Sequence, residues 1–284
     1  MTLACVRGDS VPEIDVRFYA ELNDFLPEAR RQRSFVHHFH GTPAVKDVIE
    51  SLGPPHTEVE LILVDGEPVG WGHRLRGGER VAVYPVFEEL DLGPLRVLRR
   101  DSLRRLAFVA DGHLGRLARY LRLLGFDTWY QPQADDAALS LRSAEEGRIL
   151  LTRDRGLLKR SEVQRGYCVR STDAERQVRE VAERFHLERD ARPFSRCLRC
   201  NRELEALPAA AARSRVPPRV AGRFTQFWAC SGCGRVYWRG SHYEAMVHGP
   251  VATALGARLV SYEWPDSARG EGANEPGATD EERE

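Results

Sequence analysis

Four cysteines offer the most definite chemistry in this 284-residue chain. Cys197-Leu198-Arg199-Cys200 and Cys230-Ser231-Gly232-Cys233 are two CxxC pairs with 29 residues between them. Each pair can fold into a tight knuckle whose thiolates converge. Four thiolates fill a tetrahedral zinc shell and leave no position open, so the expected zinc is structural. The interval suits a ribbon with an inserted loop, here the Ala-rich and Pro217-Pro218 stretch. Cys5 and Cys168 lack such partners, and Cys168 reads as a small buried side chain in a strand. Phe227, Trp228, Tyr237, Trp238, His242 and Tyr243 surround the second pair, with Arg235 and Arg239 among them. Such residues either fill the core of a tiny domain or stack on unpaired bases. Trp228 is assigned to the core, and Trp238, His242 and Tyr243 stay open between the two roles.

A second constellation is acidic. Asp111 follows the apolar run Leu106-Ala107-Phe108-Val109-Ala110, and Asp154 closes Leu151-Thr152-Arg153-Asp154. In an open parallel sheet, ligands bind in the crevice beyond the carboxyl ends of the strands, so both carboxylates should face one crevice. Asp135 and Asp136, at the start of the intervening helix, could reach the same place. Carboxylates gathered there repel one another unless a cation joins them, and hard oxygen donors favour magnesium or manganese. Such a centre supports phosphodiester hydrolysis, because a metal lowers the pKa of a water that attacks in line. Plain structural roles compete: Asp135 or Asp136 as a helix N-cap, Asp154 as the cap of a short helix through Leu158, and Asp111-Gly112 as a turn. Arg153, Arg116 and Arg119 are candidates for phosphate contact, although the two helix arginines read equally well as a solvated face. His113, at a helix start, is either structural or in reach of substrate.

The elements that must position these groups follow from periodicity. In the first unit, about 12–90, Ile14, Val16 and Phe18 alternate with polar neighbours as in a strand, and Val45, Val48, Ile49 and Leu52 recur at helical spacing. Asp65-Gly66 marks a hairpin turn. In the second unit, about 105–190, short apolar strands alternate with helices, which predicts a parallel sheet covered on both faces. One helix carries Leu114, Leu117, Ala118, Leu121 and Leu124 on one side and Arg116, Arg119 and Arg122 on the other. The third unit is the cysteine ribbon, about 194–246, and residues 265–284 are expected to form a disordered acidic tail.

Composition sets the bounds. Hydrophobic residues make up 42% and charged ones 30%, which excludes general disorder. The formal net charge of zero hides a basic middle: residues 95–200 hold 23 basic and 15 acidic side chains. That balance suggests a polyanionic partner. Lysine occurs only at Lys46 and Lys159, so nearly all the positive charge is arginine, whose flat fork suits phosphate. A genome biased toward Arg codons would give the same ratio. No apolar stretch is long enough for a signal peptide or a membrane span, which sets the expectation of a cytoplasmic protein, where paired cysteines mean metal more often than disulfide.

The segments FVADGHLGRLARYLRLLGFDT, DDAAL, EEGRILLTRDRGLLKR, SRCLRCN and WACSGCGRVYWRGSHYEAM together resemble the Mut-seven C-terminal RNase family, a PIN-like nuclease domain fused to a zinc ribbon. The resemblance covers about 105–246. It implies metal-binding acids at Asp111, Asp136 and Asp154, with Asp135 a candidate fourth and Asp173 the one later acid to consider. VKDVIESLGPPHTEVELILVDGEPV and LRGGERVAVYPVF are similar to the β-grasp, ubiquitin-like fold of sulfur carriers. Sulfur carriers use a free C-terminal Gly-Gly, whereas Gly77-Gly78 precedes a further strand here, which leaves the first unit a docking role toward a protein partner. The expected whole is an α/β protein: a β-grasp domain, a PIN-like parallel sheet and a zinc ribbon. The expected activity is a ribonuclease using magnesium or manganese on single-stranded RNA. The alternatives are a non-catalytic RNA-binding adaptor and, on the first unit alone, a sulfur-transfer accessory.

Overall fold

The computed structural model describes residues 11–85, 98 and 106–256. Cys5 and the expected acidic tail, 265–284, lie outside the described residues. The first unit comprises β1 (Glu13–Phe18), β2 (Phe35–His38), α1 (Val45–Leu52), β3 (Val59–Val64), β4 (Glu67–Pro68) and β5 (Arg80–Pro85). They form a mixed sheet in the order β2-β1-β5-β3-β4 with β1 and β5 parallel, as a β-grasp requires. The period-two pattern sends Ile14, Val16 and Phe18 inward, where Val45, Val48, Ile49 and Leu52 of α1 meet them. Asp65 and Gly66 both have positive φ, 52° and 90°, which matches the right-handed twist of the β3–β4 hairpin. Gly77-Gly78 sits in the turn before β5.

The second unit runs β6 (Ala107–Ala110), α2 (Gly115–Leu123), β7 (Asp127–Tyr130), α3 (Asp136–Glu146), β8 (Ile149–Thr152), α4 (Arg155–Leu158), β9 (Gly166–Cys168) and α5 (Ala174–Phe185). All four strands are parallel, in the order β7-β6-β8-β9. Because successive side chains point to opposite faces, Phe108, Ala110, Ile149 and Leu151 join the core under α2 and α5. Val109 and Leu150 face the other way, toward Leu139 of α3 and Leu157 and Leu158 of α4.

That second face shares one continuous core with the β-grasp unit, a junction that the sequence reading does not contain. His56 places Nδ1 2.7 Å from Glu50 Oε1 and Nε2 2.8 Å from the Val163 carbonyl. The Lys159 ammonium donates to the Glu50 carbonyl. Arg170 donates to Asp24 at 3.0 Å, and the guanidinium groups of Arg155 and Arg170 lie 5.0 and 5.3 Å from the Phe25 ring centroid. Glu58, 1% exposed, accepts from the Cys168 amide at 2.6 Å. Burial raises its carboxyl pKa against the pull of Arg170. A pKa raised by folding contributes stability that is complete at low pH and is lost as pH rises through the folded value. Glu58→Gln keeps the acceptor and cannot ionise, so melting curves across pH should show a smaller loss of stability as pH rises. Glu58→Ala orphans the Cys168 amide and should cost about 1–3 kcal/mol at low pH, where Glu58 of the parent is protonated.

The third unit is a three-stranded antiparallel sheet, β10 (Leu204–Leu207), β11 (Phe227–Cys230) and β12 (Val236–Tyr237). The inserted loop carries α6 (Ala209–Ala212) and α7 (Pro218–Ala221), whose flanks pack Ala212 and Val216 on Phe227. The chain continues through α8 (Ser241–Met246) to α9 (Ala252–Leu255), which returns to α5. Among the described residues, no helix is long and apolar enough to cross a membrane.

Candidate active site and metal cage

The four sulfurs of Cys197, Cys200, Cys230 and Cys233 all lie within 4.8 Å of one another. Cys197 and Cys233 are 3.6 Å apart and Cys200 and Cys230 3.1 Å, near the roughly 3.8 Å edge of a zinc–thiolate tetrahedron. Both knuckles are built alike. The Cys197 carbonyl accepts from Asn201 at 3.0 Å, and the Cys230 carbonyl from Gly234 at 2.9 Å. Asn201 and Gly234 have φ of 67° and 71°, the left-handed turn that reverses the chain so that both thiols of a pair point one way. Burial raises the Cys197 thiol, but the Tyr237 hydroxyl at 3.1 Å and the knuckle amides outweigh it and bring the pKa to about 6. Burial and the contact with Cys230 push Cys200 up to about 12. Sulfurs this close cannot all ionise unless a cation neutralises them, which is what a structural metal such as zinc supplies.

The cage is fastened to the parallel sheet. Arg122 is 5% exposed and donates to the Leu198 and Arg199 carbonyls at 3.2 and 2.8 Å and to the Thr128 carbonyl at 2.9 Å. The expected solvated face of α2 therefore holds for Arg116 and Arg119, which are exposed, and fails for Arg122. One helical turn after Ala118, Arg122 lies over the cysteine turn, whose carbonyls need donors. Asn201 accepts from the Thr128 amide at 3.0 Å and donates to Asp127 at 2.6 Å. Asp127 also takes a two-pronged bond from Arg148 at 2.7 and 3.2 Å. Trp228 is buried as expected, 5% exposed; Trp238 and Tyr243 are half-buried and His242 is exposed.

The acids lie as follows. Asp111 comes directly after β6 and Asp154 two residues after β8, and these two strands are neighbours in the sheet. Thr152 joins them: its hydroxyl donates to Asp111 Oδ2 at 2.6 Å and accepts from the Asp154 amide at 2.9 Å. Thr152 is wholly buried and is a site residue the sequence reading missed, since a threonine ending a strand carries no distinguishing pattern. Asp135 caps α3 through the Ala138 amide at 2.8 Å, and Asp136 is its first residue and exposed. Asp154 Oδ1 accepts from the Gly156 amide at 2.6 Å as the cap of α4. Asp173 caps α5, and its field reaches Arg116. Arg153 and His113 are exposed. Among the described residues, the cysteines are the one group of three or more candidate ligands this compact; no three of the acids meet the same closeness. Asp111 Oδ1 and Asp154 Oδ2 have no hydrogen-bond partner among the described residues, so each carboxylate keeps one oxygen for a ligand.

Gly112 shows how tightly this edge is built. A Cβ there would meet the Pro132 carbonyl oxygen at 2.6 Å, and Tyr130 donates to the Gly112 carbonyl at 3.0 Å.

Comparison with protein families gives two matches. The Mut7-C RNAse domain model matches residues 106–249, half of the chain. The chain belongs to the Mut7-C RNAse domain family. The Mut7-C ubiquitin model matches residues 11–91, so the β-grasp unit is the one that accompanies this family's nuclease domain. Comparison with curated proteins and with solved structures gave no match. Membership of the Mut7-C family carries a nuclease-type function, and the cysteine cage is its candidate metal site.

Proposed function

We propose that this Mut7-C protein is a metal-dependent endoribonuclease that hydrolyses phosphodiester bonds of unpaired RNA at Asp111, Asp136 and Asp154. The observation that carries the reading is the Thr152 hydroxyl tying Asp111 to Asp154 at the carboxyl ends of adjacent parallel strands. Ligands of open parallel sheets gather at that edge. The donor set fits a hard divalent cation, since each aspartate keeps one oxygen free of hydrogen bonds among the described residues. Magnesium or manganese held there would supply an activated water and neutralise charge on the phosphate. Asp136, and Asp135 if its cap opens, would complete the ligand set from the start of α3. Arg153 adjoins Asp154 and would orient a non-bridging phosphate oxygen, with Arg116 and Arg119 extending the cationic path along α2. The zinc cage holds the ribbon on β7 and has no part in bond cleavage.

In the β-grasp unit, the surface around His56 and Glu58 is committed to the nuclease domain. A protein partner would therefore use the opposite sheet face, where Arg17, Tyr19 and Tyr84 line a groove of about 440 Å³.

Purified full-length protein should cleave unstructured RNA on addition of magnesium or manganese and not without them. Metal-independent cleavage would reject the proposed chemistry. Thr152→Val keeps the side-chain shape and removes the tie. It should raise the metal concentration for half-maximal activity by about 10–100-fold, with less effect at saturating metal. A loss that saturating metal leaves untouched would assign Thr152 a purely structural role.

A further inference from the structure

β7 is the edge strand of the parallel sheet, and Trp129 lies opposite Val109, on the face that α3 covers. The α3 residues Ala138, Leu141, Arg142 and Glu145, spaced three and four apart, overlook this edge. Between strand edge and helix runs a groove of about 340 Å³, lined by Trp129, Gln131, Gln133, Asp135, Leu141 and Arg142 among others. The Arg142 guanidinium lies over the Trp129 ring, 5.2 Å from its centroid, and pairs with Glu146, so the wall of the groove is an arginine backed by the indole. Leu141 is 55% exposed, one of three large hydrophobic side chains so open among the described residues. The Gln131 and Gln133 amides are not hydrogen-bonded to another described residue.

These features select a class of ligand. A flat wall beside an exposed aliphatic side chain takes an aromatic face. Two side-chain amides with no partner among the described residues, each both donor and acceptor, take a hydrogen-bonding edge. Asp135 and Glu145 oppose a phosphate. A flat molecule with such an edge and no negative charge of its own is a nucleobase. Asp135 lines the groove and stands next to Asp136, which the ribonuclease reading assigns to the acidic crevice. A strand whose phosphate lies at Asp111 and Asp154 could thus turn one base aside into it.

We propose that the Trp129 groove is a base-binding subsite that accepts one unstacked nucleobase beside the scissile phosphate; this rests on the ribonuclease reading. Here binding, not cleavage, selects unpaired RNA, because a base held in a duplex cannot enter.

The test is binding of a labelled, unstructured RNA oligonucleotide to full-length, zinc-loaded Asp154→Asn protein. Trp129→Leu removes the indole that backs the wall. Leu141→Glu and the pair Gln131→Ala with Gln133→Ala alter exposed positions and leave the core intact. Each should weaken binding by about tenfold. A single abasic nucleotide placed along the oligonucleotide should cause the same loss at one position with the parent protein, and no further loss with the groove variants. In protein with Asp154 restored, the exposed-site variants should raise KM and leave kcat nearly unchanged. Unchanged RNA affinity in all variants would overturn the proposal, and so would indifference to every abasic position; a groove that holds a peptide instead would give that result. Groove-dependent binding by a protein that never cleaves RNA would sink the nuclease reading and keep the subsite. Cleavage with groove-independent binding would do the reverse.

Discussion

Asp111→Asn and Asp154→Asn should each lower RNA cleavage by about 10³-fold, the equivalent of roughly 4 kcal/mol, within the several kcal/mol that a bound divalent ion contributes to a phosphoryl transition state. Asparagine preserves the size of the side chain. It also preserves the acceptor that Thr152 uses at position 111 and the one that Gly156 uses at position 154. The fold should therefore survive, and melting temperatures should stay within a few degrees of the parent. What is lost is the negative charge that would hold the proposed ion. On the proposed reading both aspartates serve one ion, so the double variant should be little worse than either single one, a non-additivity expected of groups that act as a unit. Asp136→Asn should fall with them. Asp135 caps α3, so Asp135→Asn, which remains a good cap, should cost little in either stability or rate. Rates measured across a magnesium titration separate these cases, since excess metal should partly rescue a variant that has lost one ligand.

Loss of the cage metal should have the largest effect on stability. Structural zinc contributes an apparent 10–16 kcal/mol of folding free energy in small peptides, comparable to a domain's whole net stability. The ribbon has little else to hold it: its three strands are two to four residues long. The Arg122 and Asn201 bonds that dock it need a formed Cys197–Cys200 turn. Cys230→Ser, or strong chelation, should therefore unfold residues 195–240 and expose the β7 edge. Metal analysis should find one zinc per chain, and protease should cut the inserted loop quickly once zinc is removed. Purified protein without zinc that melts unchanged in chelator would refute the cage.

Much of this architecture is legible in sequence, for identifiable reasons. The alternation in Ile14–Phe18 and the strand–helix rhythm from Ala107 to Phe185 are local signals, set by burial of one face or two, and the structure follows them nearly residue by residue. The CxxC pairs are equally local. The reading fails where the partner is far away in sequence. Arg122 has the same spacing on its helix as Arg116 and Arg119, and only carbonyls 76 and 77 residues away distinguish it. Glu58 and His56 look like loop polar residues until Cys168 and Val163, 110 and 107 residues on, bury them. Asp135 and Asp154 stay ambiguous for another reason. A helix cap and a metal ligand ask the same thing of an aspartate, an oxygen aimed out of a strand–helix junction, and each of these side chains serves as a cap here.

The most direct measurement is an anomalous scattering map from crystals of the full chain soaked in manganese. It should show a manganese ion at the carboxyl end of β6 and β8, coordinated by oxygens of Asp111 and Asp154 and absent from Asp111→Asn crystals. A map with manganese only elsewhere, or with none at concentrations that support cleavage, would contradict the proposed centre.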